Sequence, residues 1–485
     1  MTRRLLLLAS AAALVSCGRL QESAAIDRLR PCLQREGPAD GYCGVYEVWE
    51  NRSAKTGRKI PLKIVVFPAL KRDAAQDPLF FLAGGPGQGA ASIAEMAREM
   101  VRRIGAGRDL VFVDQRGTGK SNPLECGEHD SPTEESAEAA INRMRACLDT
   151  LKKKADLTQY TTPIAMDDLD DVRAFLGYQT INLYGGSYGT RAALVYARRF
   201  PSRTRAVILD GVAPTDMQLP LYMARDGQRA MDLLLKDCEE SKPCGDRFPR
   251  LRERLAALLA APPRRVRFVH PRTGKEEEVE VKRLVLGTAV FSALYSPKIT
   301  ALIPLLVEQA EKGNYAGFFA LGAIFDSSST PMAQGMHFSV VCSEDAPRIA
   351  AGAVQREAAS TFLGPGMAEW REKVCDFWPR GAVDPSFYGN TPSDIPALIL
   401  SGNLDPVTPP SWGASIASQW RNARHIVVPG TGHGAAGVGC VPKLTAQFIK
   451  DGNASGLDAA CIDKVQRPPF FLGPSGPDPL NGVGQ

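Results

Sequence analysis

The sequence lacks the marks of a membrane-spanning, metal-binding or nucleic-acid-binding protein. The apolar run Leu5 to Leu14 is too short to span a bilayer as a stable helix, and no later segment is long and apolar enough. None of the eleven cysteines has the paired C-x-x-C spacing of a zinc site, so no bound metal is expected. The net charge is only +5 over 485 residues, without a long basic block, which argues against nucleic acid as a partner.

The N-terminus has the pattern of an export signal. Arg3 and Arg4 precede the apolar run, and Leu14-Val15-Ser16-Cys17 resembles the bacterial lipobox, in which Cys17 is lipidated after cleavage. We expect a signal peptide over 1–16, a tether over 17–36, and an exported protein of the cell envelope whose only membrane contact is that lipid. The alternative is an ordinary secretory signal with an incidental Cys17, which gives a protein free in the periplasm or secreted.

The ten cysteines that remain favour disulfides, because an even number suits an oxidising compartment. Connectivity does not follow from sequence, but proximity along the chain suggests five pairs. These are Cys32–Cys43, Cys126–Cys147, Cys238–Cys244, Cys342–Cys375 and Cys440–Cys461.

Short apolar runs that alternate with helical segments predict a mostly parallel sheet with helices on both faces, an α/β fold. Two antiparallel strands are expected first, over Val45–Glu50 and Ile60–Phe67. The later strands are predicted at Leu79–Leu82, Leu110–Val113, Ile181–Tyr184, Ala206–Leu209, Ala397–Leu400 and His425–Val428. The alternation stops after Val212 and resumes at Ala397. We therefore expect core halves over 37–212 and 394–470, an inserted and mainly helical cap over 213–393, and an extended tail over 471–485.

The segment Gly185-Gly186-Ser187-Tyr188-Gly189 joins a predicted strand to a helix-like run. A sharp strand-to-helix turn of the form G-x-S-x-G holds a serine hydroxyl exposed, and the glycines let the backbone pass close to its neighbours. Ser187 is the candidate nucleophile.

Two further candidates follow later strands. Asp405 comes after Ala397–Leu400 and His433 comes after His425–Val428. Reactive groups of open α/β sheets lie at the carboxyl ends of the strands, and the order Ser, Asp, His is that of α/β-hydrolases. Asp210 also follows a strand and is the alternative acid. The other four histidines lie at a strand start (His425), in polar stretches (His129, His270) or in the cap (His337).

Together these motifs resemble exported α/β-hydrolases of the proline iminopeptidase and tripeptidyl aminopeptidase (TAP-like) type. The resemblance covers roughly residues 45 to 450. It rests on Gly84-Gly85-Pro86-Gly87, Asp114-Gln115-Arg116-Gly117-Thr118-Gly119, the Ser187 turn, Asp405-Pro406-Val407-Thr408-Pro409 and Gly432-His433-Gly434. The family often has a histidine before the Gly-Gly-Pro-Gly loop that supports it. This chain has Ala83 there, so the loop is expected to be less firmly held.

The resemblance implies the α/β-hydrolase fold and a triad in which Ser187 attacks a carbonyl, His433 transfers the proton and Asp405 orients the imidazole. The backbone N–H of Tyr188 and that of Gly85 are the expected oxyanion donors. No cofactor is expected, because Asp114 replaces the first glycine of a phosphate loop and Pro86 removes a donor from a near-match to the dinucleotide fingerprint.

The expected partner is a peptide or a small acyl substrate; the sequence carries no sign of the oligomeric state. An acidic cap segment lines the site in similar enzymes, which makes Glu344 and Asp345 candidates to bind a substrate ammonium group, with a solvated acidic turn as the alternative. An aminopeptidase that releases proline or short peptides is the leading interpretation. An esterase on the same triad and a non-catalytic surface-binding lipoprotein are the alternatives.

Overall fold

The computed structural model describes residues 26–33, 36–71, 74–127, 137–269, 274–326, 332–389 and 392–477, the side chains of 322–326 excepted. The predicted signal peptide, the lipobox cysteine Cys17, His129, His270 and the end of the tail lie outside these residues. Among the described residues, no helix combines the length and the apolar character needed to cross a membrane.

Within the described ranges, nine strands form the central sheet, and a separate hairpin lies in the cap. The strands of the sheet are β1 (Arg30–Pro31), β2 (Tyr42–Trp49), β3 (Lys59–Phe67), β4 (Leu79–Leu82), β5 (Leu110–Val113), β6 (Ile181–Gly186), β7 (Thr204–Asp210), β10 (Ala397–Gly402) and β11 (Ala423–Val428); the hairpin consists of β8 (Arg264–Val269) and β9 (Glu276–Val281).

The order of the sheet is β1-β2-β3-β5-β4-β6-β7-β10-β11. Pairing is antiparallel from β1 to β5 and parallel from β5 to β11. The predicted fold class is confirmed: the fold is that of an α/β-hydrolase. All parallel strands therefore present their carboxyl ends, and the loops that carry Ser187, Asp405 and His433, at one edge.

Helices of the core half preceding the cap are α1 (Ala94–Gly105), α2 (Ala137–Leu151), α3 (Thr162–Phe175) and α4 (Tyr188–Arg199). Helices of the cap are α5 (Met223–Glu240), α6 (Lys242–Arg247), α7 (Leu251–Ala260), α8 (Arg283–Leu294), α9 (Pro297–Thr300), α10 (Ile303–Glu311), α11 (Ala316–Asp326), α12 (Gln334–Glu344), α13 (Ala353–Ala358) and α14 (Gly366–Cys375). The chain then forms α15 (Pro410–Ala417) and α16 (Val441–Asp451).

Both faces of the sheet are buried, since alternate strand residues point to opposite sides. Ile64, Val66 and Phe80 pack with α3 and α4 on one face. Val65 and Phe81 pack with α1 and α16 on the other. This is why the strands read as continuous apolar runs in the sequence.

The cap has its own apolar core, in which α5, α7 and α8 pack together. The insertion also contains the hairpin β8–β9, which was not predicted from the sequence. Its strand Arg264–Val269 alternates half-buried and exposed side chains, which is the period of a strand. All five cysteine pairs suggested by proximity are joined as disulfides.

Candidate active site

Ser187 occupies a strained turn between β6 and α4. Its backbone has φ 56° and ψ −125°, a region that non-glycine residues seldom adopt. The turn needs glycines on both sides: a Cβ on Gly185 would lie 2.3 Å from the Gly189 carbonyl oxygen, and one on Gly189 would lie 2.1 Å from the Leu82 carbonyl oxygen. The sequence G-x-S-x-G therefore fixes a turn that holds a partly exposed serine at the end of the strand.

Asp405 and His433 form a hydrogen-bonded pair at the same edge of the sheet. His433 Nδ1 lies 2.8 Å from Asp405 Oδ2. The other carboxylate oxygen accepts hydrogen bonds from the backbone N–H groups of Val407 and Thr408, at 2.9 and 2.8 Å. Asp405 is completely buried, and its hydrogen bonds hold the carboxylate in a fixed position. Because the atom opposite Nδ1 is a carboxylate oxygen, which accepts hydrogen bonds, His433 carries its proton on Nδ1.

The two side chains shift each other's pKa in opposite directions. Burial acts to raise the pKa of Asp405, but the His433 imidazole and the two backbone N–H groups outweigh it, and the pKa lies below its usual value. Burial acts to lower the pKa of His433, but the Asp405 carboxylate outweighs it, and the pKa lies above its usual value. The pair thus favours a charged imidazolium next to a carboxylate.

Ser187 is connected to this pair through the end of β7. Its backbone N–H donates to the Asp210 carbonyl oxygen at 2.9 Å, and the following residue, Gly211, lies against the imidazole. A Cβ on Gly211 would be 3.2 Å from His433 Cε1. Among the hydrogen bonds of the described residues, none joins Ser187 Oγ to His433. The structure therefore places all three residues at one edge but joins only two of them directly.

Asp210, the alternative acid, has a different set of partners. Its carboxylate accepts from the backbone N–H groups of Ala435 and Ala436, at 2.8 and 2.9 Å, and from the Tyr184 hydroxyl at 2.7 Å. It therefore holds the loop that follows His433 and does not contact the imidazole by hydrogen bonding.

The Gly84–Gly87 loop faces the nucleophile. A Cβ on Gly84 would lie 3.2 Å from Ser187 Cβ and 3.7 Å from its Oγ. Gly85 has a φ of 113°, which favours glycine at that position. Tyr188 is the first residue of α4, where backbone N–H groups have no partner within the helix. Both expected oxyanion donors are therefore on backbone segments beside Ser187.

The cap supports this loop from above, where the family's usual histidine is replaced by Ala83. Nδ1 of His337, on α12, lies 3.3 Å from the Pro86 carbonyl oxygen. The backbone N–H of Ala333 donates to the Gly87 carbonyl oxygen at 3.0 Å. Burial, together with the nearby charge of Arg371, lowers the pKa of His337 to about 3, so the imidazole is neutral and donates through Nδ1. Two cap residues therefore contact the loop that has Ala83 before it, while the firmness of the loop stays a prediction.

Glu344 and Asp345 have protein partners and are completely buried. Glu344 accepts from the backbone N–H and the hydroxyl of Thr162, at 2.6 and 2.9 Å, and Asp345 accepts from Arg191 Nη1 at 3.0 Å. The Tyr188 hydroxyl donates to Thr162 Oγ1 at 2.6 Å. These contacts brace the first turns of α4. They do not support the expected role in binding an ammonium group, because neither carboxylate is open to a ligand.

Several residues of the site are not recognisable from the sequence. The Thr408 hydroxyl donates to Asp405 Oδ2 at 2.7 Å, and the ring of Tyr295 lies edge-on to that of His433 with centroids 5.1 Å apart. Thr408 could have been found from its place in the Asp405 loop. Tyr295 and His337 reach the site only through the packing of the cap. No group of three or more His, Cys, Asp or Glu side chains suited to a metal ion occurs among the described residues.

The comparisons with known proteins agree with this fold. Residues 77–235 match the family described as alpha/beta hydrolase fold, and residues 360–461 match the family described as TAP-like protein. Over 462 residues the chain is 24% identical to serine protease Hip1 of Mycobacterium tuberculosis (strain ATCC 25618 / H37Rv), which covers 87% of this chain and 88% of that protein.

Two peptidases are also similar. The chain is 22% identical over 458 residues to tripeptidyl aminopeptidase of Streptomyces lividans, which covers 87% of this chain and 84% of that protein. It is 29% identical over 136 residues to proline iminopeptidase of Neisseria gonorrhoeae, covering 28% of this chain and 32% of that protein. Together with the fold, these matches support an enzyme, an α/β-hydrolase of the TAP-like type.

Proposed function

We propose that this protein is a serine peptidase that hydrolyses short peptides through an acyl-enzyme, with Ser187, His433 and Asp405 as its triad. The observation that carries the proposal is the strained Ser187 turn at the edge of the sheet where Asp405 and His433 are paired at 2.8 Å. Three loops that are far apart in the chain meet there. The two relatives named as an aminopeptidase and an iminopeptidase, and the one named as a serine protease, support peptides as the substrate class.

His433 is suited to move the proton of the reaction. With its Nδ1 proton held by Asp405, the free Nε2 accepts the Ser187 proton as the oxygen attacks the carbonyl carbon. The imidazolium then donates this proton to the leaving amine. In the second step His433 takes a proton from water, which attacks the acyl carbonyl, and returns the proton to Ser187 Oγ as the acid is released. The Asp405 carboxylate stabilises the imidazolium formed in both steps, and for this reason the pKa of His433 lies above its usual value. In free enzymes the bond between nucleophile and base is often long and tightens when substrate binds.

The developing oxyanion is proposed to accept hydrogen bonds from the backbone N–H groups of Tyr188 and Gly85. Their positions beside Ser187 support this role, and a donor fixed in place needs no rearrangement during the reaction. One such donor contributes about 3 kcal/mol to transition-state binding. Pro86 has no N–H, and its fixed φ instead stiffens the loop.

An esterase is the second candidate for a specific reason. Glu344 and Asp345, the acidic residues expected to bind a peptide's N-terminal ammonium group, are already engaged by Thr162 and Arg191. A site that holds an ester or a blocked acyl group needs no such anchor. A binding protein without catalysis is the third candidate.

We also propose that the protein is exported, with Cys17 as the site of a lipid anchor. Five disulfides among the described residues support an oxidising compartment. The mass of the mature chain tests this: a diacylglyceryl group on Cys17 that is lost in Cys17→Ala supports the anchor. Cleavage elsewhere with an unmodified Cys17 contradicts it and indicates a periplasmic or secreted protein.

The function is tested with a panel of aminoacyl and tripeptidyl p-nitroanilides, each with a free and a blocked N-terminus, beside the corresponding esters. Release of p-nitroaniline from free-amine amides by the wild type, and its loss in Ser187→Ala, is the expected result. Hydrolysis of blocked esters alone would favour the esterase. No hydrolysis of any member would contradict the proposal.

A further inference from the structure

The end of cap helix α8 lies against the loop that carries the proposed base. The backbone N–H of His433 donates to the carbonyl oxygen of Tyr295, the residue that follows α8, at 2.9 Å. The two backbones are so close that a Cβ on Gly432 would lie 2.4 Å from this carbonyl oxygen and 3.0 Å from Pro297 Cδ. A residue with a side chain does not fit there, which accounts for the glycine directly before His433.

The side chain of Tyr295 contacts the imidazole itself. The two ring centroids are 5.1 Å apart and the ring planes are inclined by 73°, an edge-on arrangement that aromatic rings favour. Phe291, one turn earlier on α8, packs edge-on against Tyr295 in turn, with centroids 5.8 Å apart. Burial and the charge of Asp405 both raise the pKa of the Tyr295 phenol, so that His433 meets an uncharged ring.

Tyr295 adds a third contact to the two that the core provides for the imidazole. Asp405 Oδ2 lies 2.8 Å from Nδ1, and Gly211 lies beside Cε1, where a Cβ would be 3.2 Å away. The χ2 torsion of a histidine has broad minima, so one hydrogen bond at Nδ1 does not fix the plane of the ring. Packing against Tyr295 limits the rotation that remains, and with it the direction of Nε2.

Another aromatic contact joins the cap to the core away from the triad. The ring of Tyr222, just before α5, lies 5.3 Å from that of Trp412 on α15, measured between centroids. This pair contributes to the attachment of the cap but includes no residue of the proposed triad. It therefore shows what the loss of a ring between cap and core does to stability alone.

We propose that Tyr295 is a positioning residue for His433: its ring keeps Nε2 directed at Ser187 while Asp405 holds Nδ1. The inference rests on the proposed function, in which His433 is the base. The ring carries the role and the hydroxyl does not, since the contact is made by the ring. Because Tyr295 belongs to the cap, the acid–base machinery is complete only when the cap is seated on the core. A displacement of about 1 Å in such a group can cost about 100-fold in rate.

Steady-state kinetics test the role of the ring. Tyr295→Ala removes the ring and keeps the carbonyl that accepts from His433. It is expected to lower kcat about 10- to 100-fold and to leave KM within about threefold, because a misplaced base slows proton transfer without weakening binding. Tyr295→Phe should stay within about threefold of the wild type in both constants. A loss in Tyr295→Phe as large as that in Tyr295→Ala would overturn the role of the ring.

Tyr222→Ala is the matched control. It should lower the melting temperature about as much as Tyr295→Ala, because each variant loses one ring between cap and core, but its kcat should stay within about threefold of the wild type. Equal kcat values for Tyr295→Ala and Tyr222→Ala would contradict a specific action on His433.

Labelling with a fluorophosphonate separates a misplaced base from a damaged fold. In Tyr295→Ala every molecule is expected to form the Ser187 adduct, at a rate at least about 10-fold below that of the wild type. Labelling of only a fraction of the molecules at the wild-type rate would mean partial unfolding and would overturn the proposal. Tyr295→Leu, which fills more of the space but has no flat ring, should behave like Tyr295→Ala and replaces it if that variant does not fold.

The Nδ1 proton of His433 provides a measurement that needs no turnover. A proton held between an imidazole and a carboxylate gives an NMR signal far downfield when its exchange with water is slow, and its loss in His433→Gln identifies it. The signal is expected in the wild type and in Tyr295→Phe, and should broaden beyond detection in Tyr295→Ala or Tyr295→Leu. That result stands even if the wild type hydrolyses no peptide, in which case only the proposed function fails. A signal unchanged in Tyr295→Ala and Tyr295→Leu, or absent from the wild type, would overturn the positioning role.

Discussion

Nδ1 of His337 lies 3.3 Å from the carbonyl oxygen of Pro86, so that a helix of the cap supports the loop facing the nucleophile. The contact takes the place of a histidine that similar enzymes often carry at the position of Ala83. The loop that bears a proposed oxyanion donor is thus contacted by a cap residue 251 positions after Pro86.

His337→Ala is expected to lower kcat about 10-fold with little change in KM, because one hydrogen bond to the loop is lost and its donors are no longer fixed. Steady-state kinetics on a neutral p-nitroanilide measure this. His425→Ala is the matched control, since His425 lies on β11 and bonds to Ser401. Equal kcat values for the two variants would mean that His337 does not act on the loop.

Asp210→Asn is expected to destabilise the protein by about 1–3 kcal/mol. The carboxylate accepts hydrogen bonds from Ala435, Ala436 and Tyr184 on two oxygens, whereas the amide has only one oxygen that can accept. Thermal unfolding measures this loss. Asp232→Asn, which breaks an exposed ion pair with Arg252, is the control and should cost less than about 1 kcal/mol.

Asp210→Asn should also change the pH profile, since the Asp210 charge helps to raise the pKa of His433. The acid limb of kcat/KM should move to lower pH in the variant. A purely structural role would lower activity at every pH without moving the limb, and that outcome would reject the electrostatic part of this account.

The wild-type profile follows from the direction of the same shift. His433 must be neutral to accept the Ser187 proton, and its pKa lies above the usual 6.5. Activity should therefore fall as the pH decreases, with a midpoint above 6.5, and reach a plateau on the alkaline side. Measurement of kcat/KM on an uncharged substrate from pH 5 to 9 checks this. A midpoint well below 6.5 would contradict the Asp405–His433 pairing as the cause.

Removal of the Cys342–Cys375 disulfide, as Cys342→Ser with Cys375→Ser, is expected to cost about 3–4 kcal/mol of unfolding free energy, given the 33-residue separation. Activity should fall as well, because the bond holds α12, the helix whose His337 contacts the Gly84–Gly87 loop. The control is the double substitution Cys238→Ser with Cys244→Ser. It removes a disulfide between residues only six positions apart, so the free energy of unfolding should fall by about 2 kcal/mol. Loss of activity in the control alone would contradict this assignment.

The sequence predicted the central sheet well because each parallel strand is an uninterrupted apolar run, buried on both faces. It predicted the positions of Ser187, Asp405 and His433 because the fold brings the ends of such strands to one edge. These inferences need only local pattern and topology, and the structure contains the strands and loops where they were expected.

The sequence did not reveal how the cap packs on that edge. Glu344 and Asp345 read as free acids because their partner, Arg191, is about 150 positions away. An arginine in the first turns of the apolar helix after Ser187 was the available signal, since a buried cation requires a carboxylate. Tyr295 and His337 carry no local signal, because only tertiary packing brings them to the site. The hairpin β8–β9 did carry a local signal in the sequence, namely the alternation of side chains with period two over Arg264–Val269.

Reaction of the folded protein with an uncharged fluorophosphonate tests the central claim most directly. The account predicts a stoichiometric adduct that peptide mass spectrometry assigns to Ser187, absent in Ser187→Ala and formed far more slowly in Asp405→Asn, where His433 loses the partner that fixes its proton. A protein that unfolds cooperatively yet forms no adduct, or whose adduct lies on another residue, would contradict it.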